Sequence, residues 1–213
     1  RYEKSMRERN RLLKNQVRDT HWYKALERQM AEAGAAINIA REQALEFILT
    51  SQQGATTEFP VTKLKLQQTE GSLPRTTEDL YDAFKESRLR DLATGRTMVG
   101  PHKTDVCGAY AAKDIPASQC STGEQKALLI SIVLANARAL ARNYGKAPIL
   151  LLDEISAHLD KDRRAALYEE ICALGLQAWM TGTEMDLFEE LGNRAQYIQV
   201  GLMGDISQSS LTG

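Results

Sequence analysis

A chain of 213 residues, 43% hydrophobic and 26% charged, has ordinary globular composition and the length for one large domain or two small ones. Its formal net charge of -1 excludes a global pull towards nucleic acid, so any binding to a phosphate backbone has to come from a local patch. The scattered Cys107, Cys120 and Cys172 form no C-x-x-C pair, which fits a reducing cytosol and argues against a zinc site or disulfide framework, and no apolar run approaches the ~18 residues that span a bilayer.

The chain opens RYEKSMRERNRLLKNQ, charged from its first residue and so unlike a signal peptide. Without a methionine and already in a helical pattern, it is expected to be a piece of a longer chain. Residues 1 to about 50 read as two antiparallel helices forming a short coiled-coil-like arm. Leu12, Leu13 and Val17 make the stripe of the first helix. Asp19 or Thr20 caps the second, in which Trp22, Leu26, Met30, Ala33 and Ile37 recur at the helical spacing. Around the first helix, Arg1, Lys4, Arg7, Arg9, Arg11, Lys14 and Arg18 outnumber Glu3 and Glu8. That local excess suits phosphates, with Arg7, Arg11, Lys14 and Arg18 as candidate DNA contacts, and it equally describes a solvated helix face.

SQQGATTEFP, residues 51–60, has the composition of a linker, and VTKLKLQQ, residues 61–68, alternates as an edge strand guarded by lysines. A third helix is capped at Thr76 or Thr77, gains Glu78 and Asp79 in its first turn, and stops at Gly95. A mainly helical arm domain is therefore expected over 1–95. From 96 to 213 the character changes to alternation: strand at TDVCGAYA, a long helix from STGEQKALL to Gly145, an apolar strand at APILLLDE, helix at KDRRAALYEEICALG, strand at LQAWMTGT, helix at EMDLFEELG, strand at AQYIQVGLM. This predicts an α/β domain with a mainly parallel sheet, whose central strand Ile149–Leu152 is covered on both faces. The polar tail GDISQSSLTG is expected to fray.

In open α/β sheets, ligands bind beyond the carboxyl ends of the strands, where Asp153 and Glu154 stand. One carboxylate there can hold Mg²⁺, and its neighbour can polarise a water for attack on phosphorus. An apolar strand ending in two acids is also a common structural arrangement. Upstream, Ser121, Thr122 and Gly123 open a long helix whose free N–H groups and dipole attract anions. The same residues read as ordinary capping by Ser121 or Thr122, with Glu124 or Gln125 completing a capping box.

Taken in order, GRTMVGPHKTDV, CSTGEQKALL, LLLDEISAHLD and WMTGT resemble the C-terminal part of the RecF family of SMC-like, ABC-type ATPases, and ERQMAEAGAAI is similar to that family's arm. The resemblance implies that 96–213 is the C-terminal part of an ATPase head with signature motif, Walker B strand and D-loop. Asp153 would serve Mg²⁺ and Glu154 would orient the attacking water. Ser121 and Gly123, in a cofactor-binding segment that includes Thr122, Glu124 and Gln125, would meet the γ-phosphate of ATP held by a partner protomer. Ser156, His158 and Asp160 would lie across that dimer interface. It further implies a weak cytoplasmic ATPase, not bound to a membrane, that dimerises on ATP and binds duplex DNA, single-stranded DNA and their junctions at gaps. Such a protein helps load the recombinase with RecO- and RecR-like partners in replication, recombinational repair and the SOS response. The sequence departs from the family pattern at Thr122, where glycine is commoner, and at Gly182, where a histidine usually follows the threonine. No G-x-x-x-x-G-K-[ST] occurs; the family carries that loop in a segment preceding the arm, so truncation is the expected reason. The head of another SMC-like ATPase, which needs a much longer arm, and a non-catalytic DNA-binding scaffold are the other readings.

Overall fold

The computed structural model describes residues 1–53, 57–69, 71, 73–154, 159–203 and 206–212, by backbone alone from 202 onward. Helix α1, Tyr2–Lys14, and helix α2, Thr20–Gln53, run antiparallel: the pairs Arg1–Glu32, Ser5–Gln29 and Arg9–Glu27 climb one helix as they descend the other. Asp19 caps α2, its Oδ1 accepting from the His21 N–H at 2.9 Å. Strand β1, Thr62–Gln68, leads to helix α3, Thr77–Thr94. Thr76 and Asp79 form a reciprocal capping box at its start, and left-handed Gly95 ends it, as the punctuation predicts. Tyr2, Met30, Ala31, Ala35, Leu80 and Phe84 form the core among these helices.

The buried face of α2 differs from the expected stripe. Tyr23, Glu27, Met30, Gly34 and Asn38 point inward, while Trp22 is 63% exposed. The face is rotated by about one position because it buries a charge. Arg9, fully buried, lies between Glu27 and Asp91. Its Nη1 donates to Asp91 Oδ2 at 2.7 Å and Thr97 Oγ1 at 2.8 Å, its Nη2 to Glu27 Oε1 at 3.1 Å and the Phe84 carbonyl at 3.0 Å, and its Nε to Glu27 at 3.2 Å. All five guanidinium N–H donors are thus used. Arg88 Nε donates to the same Glu27 at 2.8 Å, so two cations meet two carboxylates and the buried charge cancels.

Strand β1 pairs antiparallel with β2, Thr104–Tyr110, which pairs with the short β3, Ile115–Pro116; β1 is an edge, as its lysines predict. The turn before β2 is set by Gly100, at φ 125, where a Cβ would lie 2.4 Å from Tyr2 Oη. It delivers His102, whose Nδ1 accepts from Tyr2 Oη at 2.9 Å and whose Nε2 donates to the Thr97 carbonyl at 3.0 Å. By contacts the chain divides into two units, Arg1–Gln53 with Thr62–Gln119, and Gly54–Val61 with Cys120–Gly213. Residues 96–119, assigned by sequence to the second domain, cluster with the first unit.

The second unit contains helix α4, Thr122–Tyr144, strand β4, Ile149–Leu152, helix α5, Lys161–Ala173, and strand β5, Gln177–Met180. The chain is α/β as expected, and β4 and β5 pair in parallel. Ala127, Ile130 and Leu134 of α4 and Leu167, Tyr168 and Ile171 of α5 pack on Leu150 and Leu152. Among the described residues nothing covers the opposite face of the sheet: Ile149 is 60% exposed, Leu151 77% and Trp179 55%. Among the described residues α4 and α5 both lie on one side of β4, so the expected cover on both faces is seen on one face. The segment 185–194 is 3₁₀ rather than α-helical, kinked at Gly192. Of the tail expected to fray, Ile206–Thr212 forms β7, which pairs antiparallel with β6, Tyr197–Met203. Among the described residues no helix is long and apolar enough to cross a membrane.

Replacing Arg9 with methionine strands buried carboxylates and should lower the unfolding free energy by about 3–5 kcal/mol in urea titrations; a loss under about 1 kcal/mol would show that the carboxylates do not need it. Burial holds the His102 imidazole below its ordinary range, reinforced by Lys103 and Arg9 and opposed by the Thr97 carbonyl and Asp91. The folded state therefore favours neutral His102, and its stabilising share, intact above about pH 6.5, is lost as pH falls through the depressed folded value. Unfolding free energy measured between about pH 7.5 and 5 should drop towards acid, with His102→Gln flattening the slope; an unchanged slope excludes His102 as its source.

Candidate functional site

Parallel register, from Ile149 opposite Gln177 to Leu152 opposite Met180, ends β4 and β5 on the same edge. The ladder continues one step further, the Thr181 N–H donating to the Leu152 carbonyl at 3.1 Å. Asp153 and Glu154 therefore leave β4 beside Thr181. The Thr181 hydroxyl donates to Asp153 Oδ1 at 2.5 Å and accepts from the Glu154 N–H at 3.0 Å. Glu154 has φ 50, a left-handed conformation uncommon outside glycine and costing on the order of 1 kcal/mol or more. Both carboxylates are exposed at the carboxyl end of the parallel pair, where open α/β sheets hold their ligands.

The donor chemistry fits Mg²⁺. Thr181 engages one Asp153 oxygen and leaves the other for a hard cation, and Mg²⁺ commonly takes one or two carboxylates with the rest of its shell from water and substrate phosphates. Among the described residues no group of three or more His, Cys, Asp and Glu forms an all-protein cage.

A second cluster gathers at the start of α4. Ser121 is its N-cap, its Oγ accepting from the Glu124 N–H at 3.4 Å while its own N–H donates to Glu124 Oε2 at 2.9 Å. The capping-box reading is thus realised with Glu124. Gln125 Nε2 reaches back to the Cys120 carbonyl at 3.0 Å. Among the described residues the N–H groups of Thr122 and Gly123, in the open first turn, have no partner. A Cβ on Gly123 would stand 3.9 Å from an Arg163 Nη1. Asp160 holds that arginine: its Oδ1 caps α5 through the Arg163 N–H at 2.9 Å, and its Oδ2 lies 3.6 Å from Arg163 Nε. Asp160 thereby holds Arg163 close to Gly123. Ser156 and His158 lie outside the described residues.

The sequence reading missed Arg163, and it quoted Thr181 within WMTGT without giving it a role. Arg163 is signalled only by its place three residues after a capping aspartate, and Thr181 only by following the strand that pairs with β4. At Gly182 a Cβ would fall 2.9 Å from Phe188 Cζ and 3.1 Å from Leu187 Cδ1, so a side chain there requires Phe188 to shift. In the first unit, Arg7, Arg11, Lys14 and Arg18 are exposed, Arg7 pairing with Glu3 at 2.8 Å. Arg9 drops out of the basic run because it is buried.

No family model matches the chain. It is 46% identical to the DNA replication and repair protein RecF of Rhizobium rhizogenes over 98% of this chain and 57% of that protein. The RecF of Brucella abortus is likewise 46% identical, over 100% of this chain and 56% of that one. The chain thus spans little more than half the length of these curated relatives. A solved structure of the recombination mediator protein RecF in the RecFOR pathway superposes with TM-score 0.70 at 23% identity, over 87% of this chain and 52% of the other. A second, of RecF-ATP, gives 0.68 at 24%, with the same coverage. These two share the fold. Gly182→Ala should destabilise the chain by about 1–3 kcal/mol through overpacking against Phe188, read as a lowered unfolding midpoint; a neutral result would mean that Phe188 swings away freely.

Proposed function

Because the chain belongs to the RecF family of DNA replication and repair proteins over the part of them that it spans, we propose that it forms the arm and the C-terminal part of the head of an ATP-dependent, DNA-binding ATPase. The observation that carries this reading is the Asp153–Glu154 pair, exposed at the end of a parallel strand with Glu154 held in a left-handed turn. Strained non-glycine backbone is enriched at active sites and ligand clamps, and Gln16 and Asp114 adopt a similar φ in turns elsewhere in the chain. Bound ATP and Mg²⁺ would supply the scissile phosphate and the charge that neutralises it. Asp153 would hold the metal, and Glu154 would orient the attacking water.

The segment Ser121–Gln125 serves ATP on a second copy of the chain. Thr122 and Gly123 offer open N–H groups at the positive end of a 23-residue helix, and Arg163 adds a cation beside them. Ser121 would meet the γ-phosphate, and Ser156, His158 and Asp160 would belong to the contact between copies. The phosphate-cradling loop comes from residues beyond these 213. The exposed Arg7, Arg11, Lys14 and Arg18 contact DNA phosphates at duplex and single-strand junctions. The ATP-bound dimer then acts in the cytoplasm with RecO- and RecR-like partners to load the recombinase, and hydrolysis releases it.

In the polypeptide that carries this chain together with its phosphate loop, Glu154→Gln should lower ATP turnover by roughly 10²–10⁴-fold while ATP-bound dimers accumulate in light scattering. Turnover at the unaltered rate would remove Glu154 from the chemistry.

A further inference from the structure

Thr181, in the WMTGT segment, lies outside the 121–125 and Asp153–Glu154 motifs, yet its side chain makes two contacts at the acidic pair. A hydroxyl has one proton to give and lone pairs to receive with. Here the proton goes to Asp153 Oδ1 at 2.5 Å and a lone pair receives the Glu154 N–H at 3.0 Å. The residue is itself fixed, because its N–H extends the β4–β5 ladder to the Leu152 carbonyl at 3.1 Å. A Cβ on its neighbour Gly182 would meet Phe188 Cζ at 2.9 Å and Leu187 Cδ1 at 3.1 Å.

From this geometry we infer that Thr181 is the positioning residue of the acidic pair, its hydroxyl setting the rotamer of Asp153 and stabilising the left-handed turn of Glu154. The inference rests on the proposed roles of Asp153 and Glu154 in ATP turnover. Two properties follow from one side chain. With Oδ1 engaged, Asp153 presents its remaining oxygen outward in one orientation, as carboxylates that ligate metals are commonly held by a second hydrogen bond. With its N–H engaged, Glu154 keeps a φ of 50 that an ordinary residue rarely holds, and this sets the direction in which its carboxylate leaves the strand. Valine has nearly the shape of threonine without the hydroxyl; serine keeps the hydroxyl without the methyl.

The test uses the polypeptide that carries this chain with its phosphate loop, as wild type, Thr181→Val and Thr181→Ser. The first readout needs no nucleotide: hydrogen exchange of the Glu154 amide should speed up about tenfold in the valine variant, the size expected for one lost hydrogen bond, and stay near wild type in the serine variant. Unchanged exchange in the valine variant overturns the inference. The second readout is ATP turnover. Thr181→Val should lower kcat by about 10–100-fold with KM for ATP within about twofold, and Thr181→Ser should restore most of it. Faster exchange with normal kcat overturns the positioning role, as does an equal loss in the serine variant. If Glu154→Gln leaves turnover intact, the assignment of the acidic pair fails by a separate result, while the exchange experiment still decides whether Thr181 holds the turn.

Discussion

The parallel pairing of β4 with β5 is the constraint on which the acidic site depends. Parallel strands finish on a common edge, so the residues that follow each of them meet. Asp153 and Glu154 follow one strand and Thr181 the other, and the ladder bond from Thr181 to Leu152 brings the three together. Antiparallel pairing of the same segments would send Thr181 to the far end of β4 and leave the two acids with no hydroxyl beside them. A parallel pair needs a crossover between its strands, and α5 provides it. The N-cap of that crossover is Asp160, whose Arg163 faces the start of α4. One topological choice therefore places both clusters of candidate residues.

The two units handle burial differently. In the first, a helical core takes in a guanidinium and its carboxylates and satisfies them completely, so polar groups are retained inside at no cost in unpaired charge. In the second, a sheet of two described parallel strands buries Leu150 and Leu152 and leaves Ile149, Leu151 and Trp179 to water. Parallel strands usually carry helices on both faces, and their sequences are apolar throughout for that reason. The run PILLLDE has this character, although among the described residues one of its faces is packed and the other exposed.

What could be read from the sequence was what is written locally. Helix α3 announces itself by Thr76 three places before Asp79 and by Gly95 at its end, and α4 by Ser121, Glu124 and Gly145. The position of the acidic pair at a strand end was legible in the apolar run before it. What escaped depends on distant partners. The buried stripe of α2 contains Glu27, which periodicity of apolar residues discounts and which only Arg9 and Arg88 make tolerable inside. The tail of serines has little strand character of its own and is held by ladder bonds to β6. Thr181 is 28 residues from Asp153, so its role exists only once the strands have paired.

The Arg9 cluster also limits how this arm can diverge. Its members sit on three helices, Arg9 on α1, Glu27 on α2, Arg88 and Asp91 on α3, and each neutralises another. Losing any one first leaves a buried charge uncompensated, while exchanging the group together for apolar residues can be neutral or favourable. A lineage changing one codon at a time therefore faces a valley between two workable interiors. The exposed arginines and lysines of α1 are free to drift; the charges beneath them are inherited as a set.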